Sequence, residues 1–214
     1  MKIVFFGDSI TDMHREKTVD NMIYSYGSGY PFIVASELFR INPLKHEIIN
    51  RGIGGNRTVD LYARIKEDVW NLNPDLLSIL IGTNDVWHES MRKAGIEIER
   101  FEKVYRLIIE ETMANLPNCK IILMEPFFLK GRATNEILED FSRIYDYAKV
   151  VKKLANEYNL PIVLLQDAFN DKANKYGPEP YLYDGVHPMV AGATLIADNW
   201  LEVFMKEFSE NGNK

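Results

Sequence analysis

Cysteine is nearly absent from this chain, and a long apolar run is missing altogether. Cys119 is the only cysteine, which excludes an internal disulfide and favours a reducing compartment. No stretch approaches the roughly 18 to 20 consecutive apolar residues that a membrane-spanning helix needs, and the apolar run at residues 3–6 is too short for the core of a signal peptide. We therefore expect a cytoplasmic protein without a membrane partner.

An excess of positive charge is also missing. Lysine and arginine number 25 against 31 aspartates and glutamates, so the formal net charge is −6. Nucleic acids and anionic membranes attract basic surfaces, and neither is an expected partner here. The four histidines, His14, His46, His88 and His187, are scattered, and no pair has metal-ligand spacing such as His-Glu-x-x-His. We expect no metal, no organic cofactor, and a neutral or weakly charged small-molecule substrate.

What the chain does contain is enough apolar sequence for one substantial core, since 46% of its 214 residues are hydrophobic. Five short runs are rich in Ile, Val and Leu and mostly do not alternate with polar residues. Such runs are typical of parallel strands that are covered on both faces. The runs are residues 2–6, 46–50, 76–81, 120–124 and 161–165.

Helical patterns separate these runs, over residues 31–41, 58–72, 96–116, 137–158 and 188–208. The alternation of strand and helix predicts an α/β fold, a three-layer α/β/α sandwich with a five-stranded parallel sheet. We see no linker and predict a single domain over residues 1–214. The connection at residues 7–30 is long, which indicates a functional or mobile loop.

Four polar motifs are informative: three come directly after strands, at the end of the sheet where ligands bind in open α/β folds, and the fourth lies near the C-terminus. They are "GDSITD" with Ser9, the glycine-rich "NRGIGGNRT", "GTNDVW" with Asn84, and "YDGVHP" with Asp184 and His187. Each motif alone is weak, because Ser, Asn and Asp commonly cap turns and helices. Together they supply the hydroxyl nucleophile, imidazole base, orienting carboxylate and oxyanion donors that acyl transfer needs.

The four motifs also resemble the conserved blocks of the SGNH hydrolases, a branch of the GDSL esterases and lipases. The name-giving Ser, Gly, Asn and His correspond to Ser9, Gly55, Asn84 and His187, and Asp184 stands three residues before the histidine. The resemblance implies a flavodoxin-like fold and a serine esterase with a Ser-His-Asp triad. It also implies an oxyanion hole formed by Ser9, Gly55 and Asn84.

Three details refine this prediction. Ile10 stands where the family name has Leu, a swap of similar volume that should disturb packing little. Motif alignment favours Gly55 over its neighbour Gly54 as the oxyanion donor. Pro188 lacks a backbone N–H and has a fixed φ, which suits a first helical position, so we expect it to hold His187 at a rigid hinge between loop and helix.

Residues beside the motifs indicate the substrate. Trp87 follows the Asn84 block and Tyr183 precedes Asp184; flat rings near polar groups suit sugars, although both rings could simply pack. Asp8, beside the nucleophile, is a third candidate for substrate contact. "GTNDVW", "GSGY" and "HPMVAG" resemble the small intracellular carbohydrate acetylesterases of the family, including acetyl-xylan esterases. This resemblance implies removal of acetyl or other short acyl groups from sugars or xylo-oligosaccharides.

Other functions stay open at this stage. A lysophospholipase, thioesterase or general short-chain lipase would use the same blocks, and residues 127–136 are the one loop with the composition of a lid. A catalytically silent carbohydrate-binding protein could keep the fold, and an FMN-binding flavodoxin-like protein is a fold-level analogy. The sequence also leaves open whether the protein is a monomer or a homo-oligomer.

Overall fold

A five-stranded parallel sheet forms the centre of the computed structural model, which describes residues 1–208. The strands lie in the order β2-β1-β3-β4-β5, and every neighbouring pair is parallel. The predicted strands are confirmed, with the last one shorter than expected. The strands are β1 (Lys2–Gly7), β2 (Glu47–Gly52), β3 (Leu76–Leu80), β4 (Lys120–Met124) and β5 (Ile162–Val163).

Nine α-helices in residues 1–208 join and cover these strands. They are α1 (Ser9–Asp12), α2 (Tyr30–Ile41), α3 (Thr58–Asp68), α4 (Thr83–Arg92), α5 (Ile98–Asn115), α6 (Leu138–Phe141), α7 (Ile144–Glu157), α8 (Gln166–Tyr176) and α9 (Val190–Phe208). None of these described helices is long and apolar enough to cross a membrane. The single domain over residues 1–214 stays a prediction, and its last six residues lie outside the described part.

The sheet separates two apolar layers, as a three-layer sandwich requires. Ile3 and Phe5 of β1 pack on the side of α2 and α9, whereas Val4 and Phe6 pack on the side of α3, α5 and α7. Successive side chains of a strand point to opposite faces, so an unbroken apolar run fills both layers. The α/β sandwich that the sequence predicted is therefore confirmed.

Two helices, α4 and α8, were not predicted. Four residues of α4 are buried, but three of them are polar: Thr83, Asp85 and His88. Only Gln166 and Phe169 of α8 are buried. Both helices are short and polar overall, so the few apolar residues at helical spacing, such as Phe169, Ala173 and Tyr176 in α8, give only a weak signal in the sequence.

Several predicted boundaries also change. The pattern at residues 58–72 divides into α3 and a short 3-10 helix (Trp70–Leu72), and the pattern at residues 137–158 divides into α6 and α7. The long connection at residues 7–30 is not an open loop, because it contains α1 and a 3-10 helix (Ile23–Tyr26).

The start of the last helix corrects the prediction for Pro188. Helix α9 begins at Val190, and Pro188 instead forms an isolated antiparallel bridge with Leu182. The next residue donates its N–H to the carbonyl of Tyr181 at 2.9 Å. Pro188 thus stiffens the exit of the turn by pairing across it, rather than by starting a helix.

Strand order positions the functional site. The chain proceeds outward from β1 to β2 and then returns to the other side of β1 to form β3. In sheets of this order the crevice between the carboxyl ends of β1 and β3 is the topological switch point, where ligands bind. The segments after these two strands carry Ser9 and Asn84.

Candidate active site

Ser9 is the first residue of α1, directly after β1. Asp8 caps this short helix, since its Oδ1 accepts the backbone N–H of Ile10 at 2.9 Å. The cap holds Ser9 at the end of the strand. The Oγ atom of Ser9 lies 3.0 Å from Nε2 of His187, a residue 178 positions further along the chain.

His187 belongs to a turn that closes around Asp184. Nδ1 of His187 lies 2.6 Å from Oδ2 of Asp184, while Oδ1 accepts the backbone N–H groups of Val186 at 3.0 Å and His187 at 2.8 Å. Between them Gly185 has a φ of +106°, a conformation that favours glycine. A continuous line of hydrogen-bonding groups therefore runs from Ser9 through the imidazole to the carboxylate, the arrangement seen in serine hydrolases.

Electrostatics reinforce this line. Burial alone would raise the pKa of Asp184, but hydrogen bonds from the His187 ring and from two backbone N–H groups outweigh it and lower that pKa. The same carboxylate raises the pKa of His187 through its hydrogen bond, against the opposing effect of burial. An ionised Asp184 accepts the Nδ1–H of a neutral imidazole, which leaves Nε2 as the acceptor that faces Ser9.

Residues 127–136, the loop whose role as a lid the sequence left open, support the turn. Leu129 donates its N–H to the carbonyl of Gly185 at 2.8 Å, and Ala133 donates to the carbonyl of Asp184 at 2.9 Å. The first three residues of the segment are buried. These contacts join the backbone of the segment to the turn that carries His187.

Glycine and asparagine groups face the serine from the β2 and β3 sides. The N–H of Gly54 is occupied, since it donates to Oδ2 of Asp12 at 3.1 Å. No acceptor in residues 1–208 takes the N–H of Gly55, whose φ of +82° favours glycine. Asn84 uses its amide Nδ2 to donate to the carbonyl of Asn56 at 3.1 Å, which leaves a second amide hydrogen. The free N–H favours Gly55 over Gly54, in agreement with the motif alignment.

These groups share a cavity of about 350 Å³. Trp87, a predicted substrate contact, lines it, and its ring packs edge-on against Phe141 with centroids 5.2 Å apart. Ile10, Trp87, Met91 and Val186 supply the apolar part of the wall, and Thr83, His88 and Arg92 add polar groups. The lining consists of Ser9, Ile10, Gly55, Thr83, Asn84, Trp87, His88, Met91, Arg92, Val186 and His187.

The two other predicted substrate contacts lie elsewhere. Asp8 is 1% exposed and lies behind the nucleophile, outside the lining of the cavity, because its side chain is used as the helix cap. The prediction of substrate contact for Asp8 is not supported by this placement. Tyr183 is 46% exposed, lines a different cavity and stacks on the ring of His187.

Sequence reasoning missed the role of buried carboxylates below the cavity. Asp85 accepts the N–H of Thr58 at 3.1 Å and its hydroxyl at 2.7 Å, and burial raises the pKa of Asp85 to about 7. Burial likewise raises the pKa of Asp8 to about 6, although His187 opposes the shift. Asp12 accepts from the Gly54 loop and forms an ion pair with Lys17 at 3.2 Å. The only sequence signal for this role was the presence of Asp8 and Asp12 in "GDSITD" and of Asp85 in "GTND".

Metal binding has no candidate in the described residues. Within residues 1–208, no group of three or more His, Cys, Asp and Glu side chains is arranged to hold a metal ion.

Sequence comparison matches this chain to a family model and to a relative of similar length. The model of the GDSL-like lipase/acylhydrolase family matches residues 5–195. An acetylxylan esterase from Geobacillus stearothermophilus is 35% identical over 206 residues, covering 94% of this chain and 92% of that protein.

Solved structures agree with the sequence matches. A crystal structure of an acetylxylan esterase from the same organism superposes with a TM-score of 0.85 at 36% identity, covering 94% of this chain and 93% of that one. A proposed GDSL-like lipase from Parabacteroides merdae superposes with a TM-score of 0.88 at 35% identity, covering 94% of both chains.

Proposed function

The chain belongs to the GDSL-like lipase/acylhydrolase family, and we propose that it removes acetyl groups from carbohydrates through a triad of Ser9, His187 and Asp184. As a member of that family it is a carboxylic ester hydrolase. The observation that carries the proposed mechanism is the line of contacts from Ser9 Oγ to His187 Nε2 at 3.0 Å and from His187 Nδ1 to Asp184 Oδ2 at 2.6 Å.

Acylation begins at the hydroxyl of Ser9. His187 takes its proton at Nε2 while Oγ attacks the ester carbonyl carbon, and the carbonyl oxygen becomes an oxyanion. Asp184 keeps the proton on Nδ1 and stabilises the imidazolium that forms. The imidazolium then protonates the leaving alcohol as the bond between the carbonyl carbon and the alcohol oxygen breaks.

The oxyanion needs donors that are already oriented. The backbone N–H groups of Ser9 and Gly55 and the second amide hydrogen of Asn84 are the proposed set. Removing one such donor typically costs about 2.7 to 4 kcal/mol of transition-state stabilisation.

Deacylation repeats the same steps with water. His187 takes a proton from a water molecule, which attacks the acyl carbon, and the imidazolium returns the proton to Ser9 Oγ as the acid leaves. All proton transfers use Nε2, so no organic cofactor enters the proposed cycle.

Cavity size supports a short acyl group. The catalytic cavity of about 350 Å³ lies at the low end of ligand sites, which span roughly 300 to 1,000 Å³. Trp87, Met91 and Val186 provide an apolar wall for a methyl group.

The carbohydrate part of the proposal comes from the relatives. A protein 35% identical to this chain is an acetylxylan esterase, and another structural neighbour is an acetyl-xylooligosaccharide esterase. A reducing, cytoplasmic compartment stays a prediction from the single cysteine.

Initial rates with p-nitrophenyl esters from acetate to palmitate test this proposal, with acetylated xylose and acetylated xylotetraose alongside. We expect activity that peaks at acetate, extends to both sugars and is lost in Ser9→Ala. Ser36→Ala removes an exposed hydroxyl on α2 and is the matched control that should retain full activity.

A peak at long acyl chains would transfer the assignment to lipids or thioesters. Hydrolysis that survives Ser9→Ala would refute the triad, and a complete lack of esterase activity would favour a carbohydrate-binding protein.

A further inference from the structure

A second cavity, of about 1010 Å³, lies on the other side of the turn that carries His187. Helix α8 lines it on one side and the segment at residues 127–136 on the other. Its wall includes Phe128, Asn170, Asn174 and Tyr183. The proposed cycle makes no use of this space.

One aromatic ring separates this second cavity from the catalytic imidazole. Tyr183 lines the second cavity, and its ring stacks on His187 with centroids 6.0 Å apart and an interplanar angle of 25°. His187 itself lines the catalytic cavity. A chain-like ligand with one unit at Ser9 can therefore cross Tyr183 and continue into the second cavity.

Aromatic faces and amides give the second cavity its chemistry. Tyr145 is 41% exposed and Tyr183 46% exposed, so both offer ring faces, and Tyr145 is supported from behind by Phe128 at 5.4 Å. Within residues 1–208, the side-chain amides of Asn135 and Asn174 make no hydrogen bond to other protein groups. Ring faces with free amide donors and acceptors suit the alternating C–H and hydroxyl surfaces of sugars.

Charge in the second cavity is mixed, which argues against an ionic ligand. Lys130 and Arg132 lie in its lining together with Glu179. The net charge of these three side chains is only +1, which is too small to select an anionic ligand, and a neutral polar ligand fits the rest of the lining.

We propose that the second cavity binds the neutral sugar residues next to the acetylated one, so that the enzyme prefers acetylated oligosaccharides to acetylated monosaccharides. This inference rests on the proposed function, and it assigns the leaving-group side of the substrate to a defined place. Tyr183 joins the two cavities as the ring under the linkage.

Binding of unacetylated xylotetraose, measured by titration calorimetry, tests the inference without catalysis. We expect the double variant Tyr145→Ala/Asn174→Ala to bind it about tenfold more weakly or worse, since a ring face and an amide are lost. Ala173→Trp should also weaken binding by about tenfold or more, because Ala173 lines the second cavity and the indole would block part of it. Lys172→Trp, at an exposed neighbour outside the lining, is the control and should bind normally.

Kinetics supply the second measurement. Tyr145→Ala/Asn174→Ala and Ala173→Trp should raise KM for acetylated xylotetraose by about tenfold, matching the loss of binding, whereas Lys172→Trp should leave it unchanged. Their rates on p-nitrophenyl acetate should stay unchanged, which also shows that they fold.

The outcomes separate the two proposals. If acetylated xylose is hydrolysed but the variants bind xylotetraose as the parent does, the inference about the second cavity is overturned and the proposed function stands. If p-nitrophenyl acetate is cleaved through Ser9 but no acetylated sugar is, the carbohydrate assignment fails. Absence of xylotetraose binding to the parent overturns the second-cavity proposal in either case.

Discussion

Two regions place aspartates near Ser9, and their surroundings shift the carboxyl pKa values in opposite directions. The turn, residues 183–188, holds Asp184 with three hydrogen bonds from Val186 and His187. The floor, which consists of Asp8, Asp12 and Asp85, holds its carboxylates with fewer donors. Oδ2 of Asp8 and Oδ1 of Asp12 are buried without a hydrogen-bond partner in the described structure.

The pKa values follow this difference. Hydrogen bonds overcome burial at Asp184 and lower its pKa, whereas burial dominates at Asp8 and Asp85 and raises theirs to about 6 and about 7. Asp8 and Asp85 are buried more deeply than Asp184 and have fewer donor groups, and both differences favour the protonated carboxyl. The turn supplies a permanent negative charge for the imidazole, and the floor uses its oxygens to fix loops.

The largest effect is expected where the two regions meet. Ser9 stands on the floor and His187 on the turn, so Ser9→Ala and His187→Ala should each lower kcat by about 10⁴- to 10⁶-fold. The double variant should be little worse than either single one, because the two side chains act as a unit. Steady-state kinetics on p-nitrophenyl acetate measure this.

Control variants separate chemistry from folding. Ser36→Ala and His14→Asn alter an exposed serine and an exposed histidine and should keep the parental rate. Losses that multiply in the double variant would contradict a shared role.

The second-largest loss of kcat is expected when the negative charge of Asp184 in the turn is removed. Asp184→Asn keeps an oxygen for the N–H groups of Val186 and His187 but removes the anion, and kcat should fall by roughly 10³- to 10⁴-fold. Circular dichroism should show an unchanged fold.

The pH profile of the same variant sharpens the comparison. His187 must be neutral to act as a base, so kcat/KM should rise with pH through its raised pKa, with a midpoint above 6.5 in the parent. Asp184→Asn removes the first cause of that elevation, and the acid limb should move to lower pH. Asp8, which also raises the pKa of His187, is unchanged in this variant. If the acid limb did not move, Asp184 would not be the group that controls the pKa of the base.

Much of this arrangement could be predicted from sequence, and the reason is local. The motifs that carry Ser9, Gly55 and Asn84 each follow an apolar run, and parallel strands place the residues after them at one edge of the sheet. This rule alone brings together Ser9, Gly55 and Asn84. His187, whose motif follows α8 rather than a strand, was assigned through the family resemblance.

The supporting contacts could not be predicted. The bond between Asp12 and the N–H of Gly54 spans 42 residues, and residues 127–136 hold the turn through backbone groups that every residue carries. Contacts of this kind leave no composition or period in the sequence. Helix α4 stayed hidden for a related reason, since three of its four buried residues, Thr83, Asp85 and His88, are polar.

A smaller loss of activity is expected at Asp12 in the floor. Asp12→Ala removes the acceptor of the Gly54 N–H and loosens the loop that orients Gly55. A hydrogen bond to a charged group contributes about 1.5 to 3 kcal/mol, so kcat should fall by roughly ten- to a hundredfold with little change in KM. Asp12→Asn keeps an acceptor oxygen and should restore most of kcat. Equal losses in both variants would assign the effect to charge rather than to positioning of the loop.

The smallest effect, on stability, is expected at Asp85. The folded pKa of about 7 lies above the ordinary value of 3.8, so folding favours the protonated carboxyl. The ionised form therefore destabilises the fold above pH 7, and this destabilisation is lost as the pH falls toward 4. Asp85→Asn is always neutral, and its Tm relative to the parent should be higher at pH 8.5 than at pH 5, by at least about 3 °C. Asp171→Asn, at an exposed position on α8, should show no such dependence. A relative Tm of Asp85→Asn that is independent of pH would mean that the floor carboxylate is as well stabilised as the one in the turn, and the contrast between the two regions would disappear.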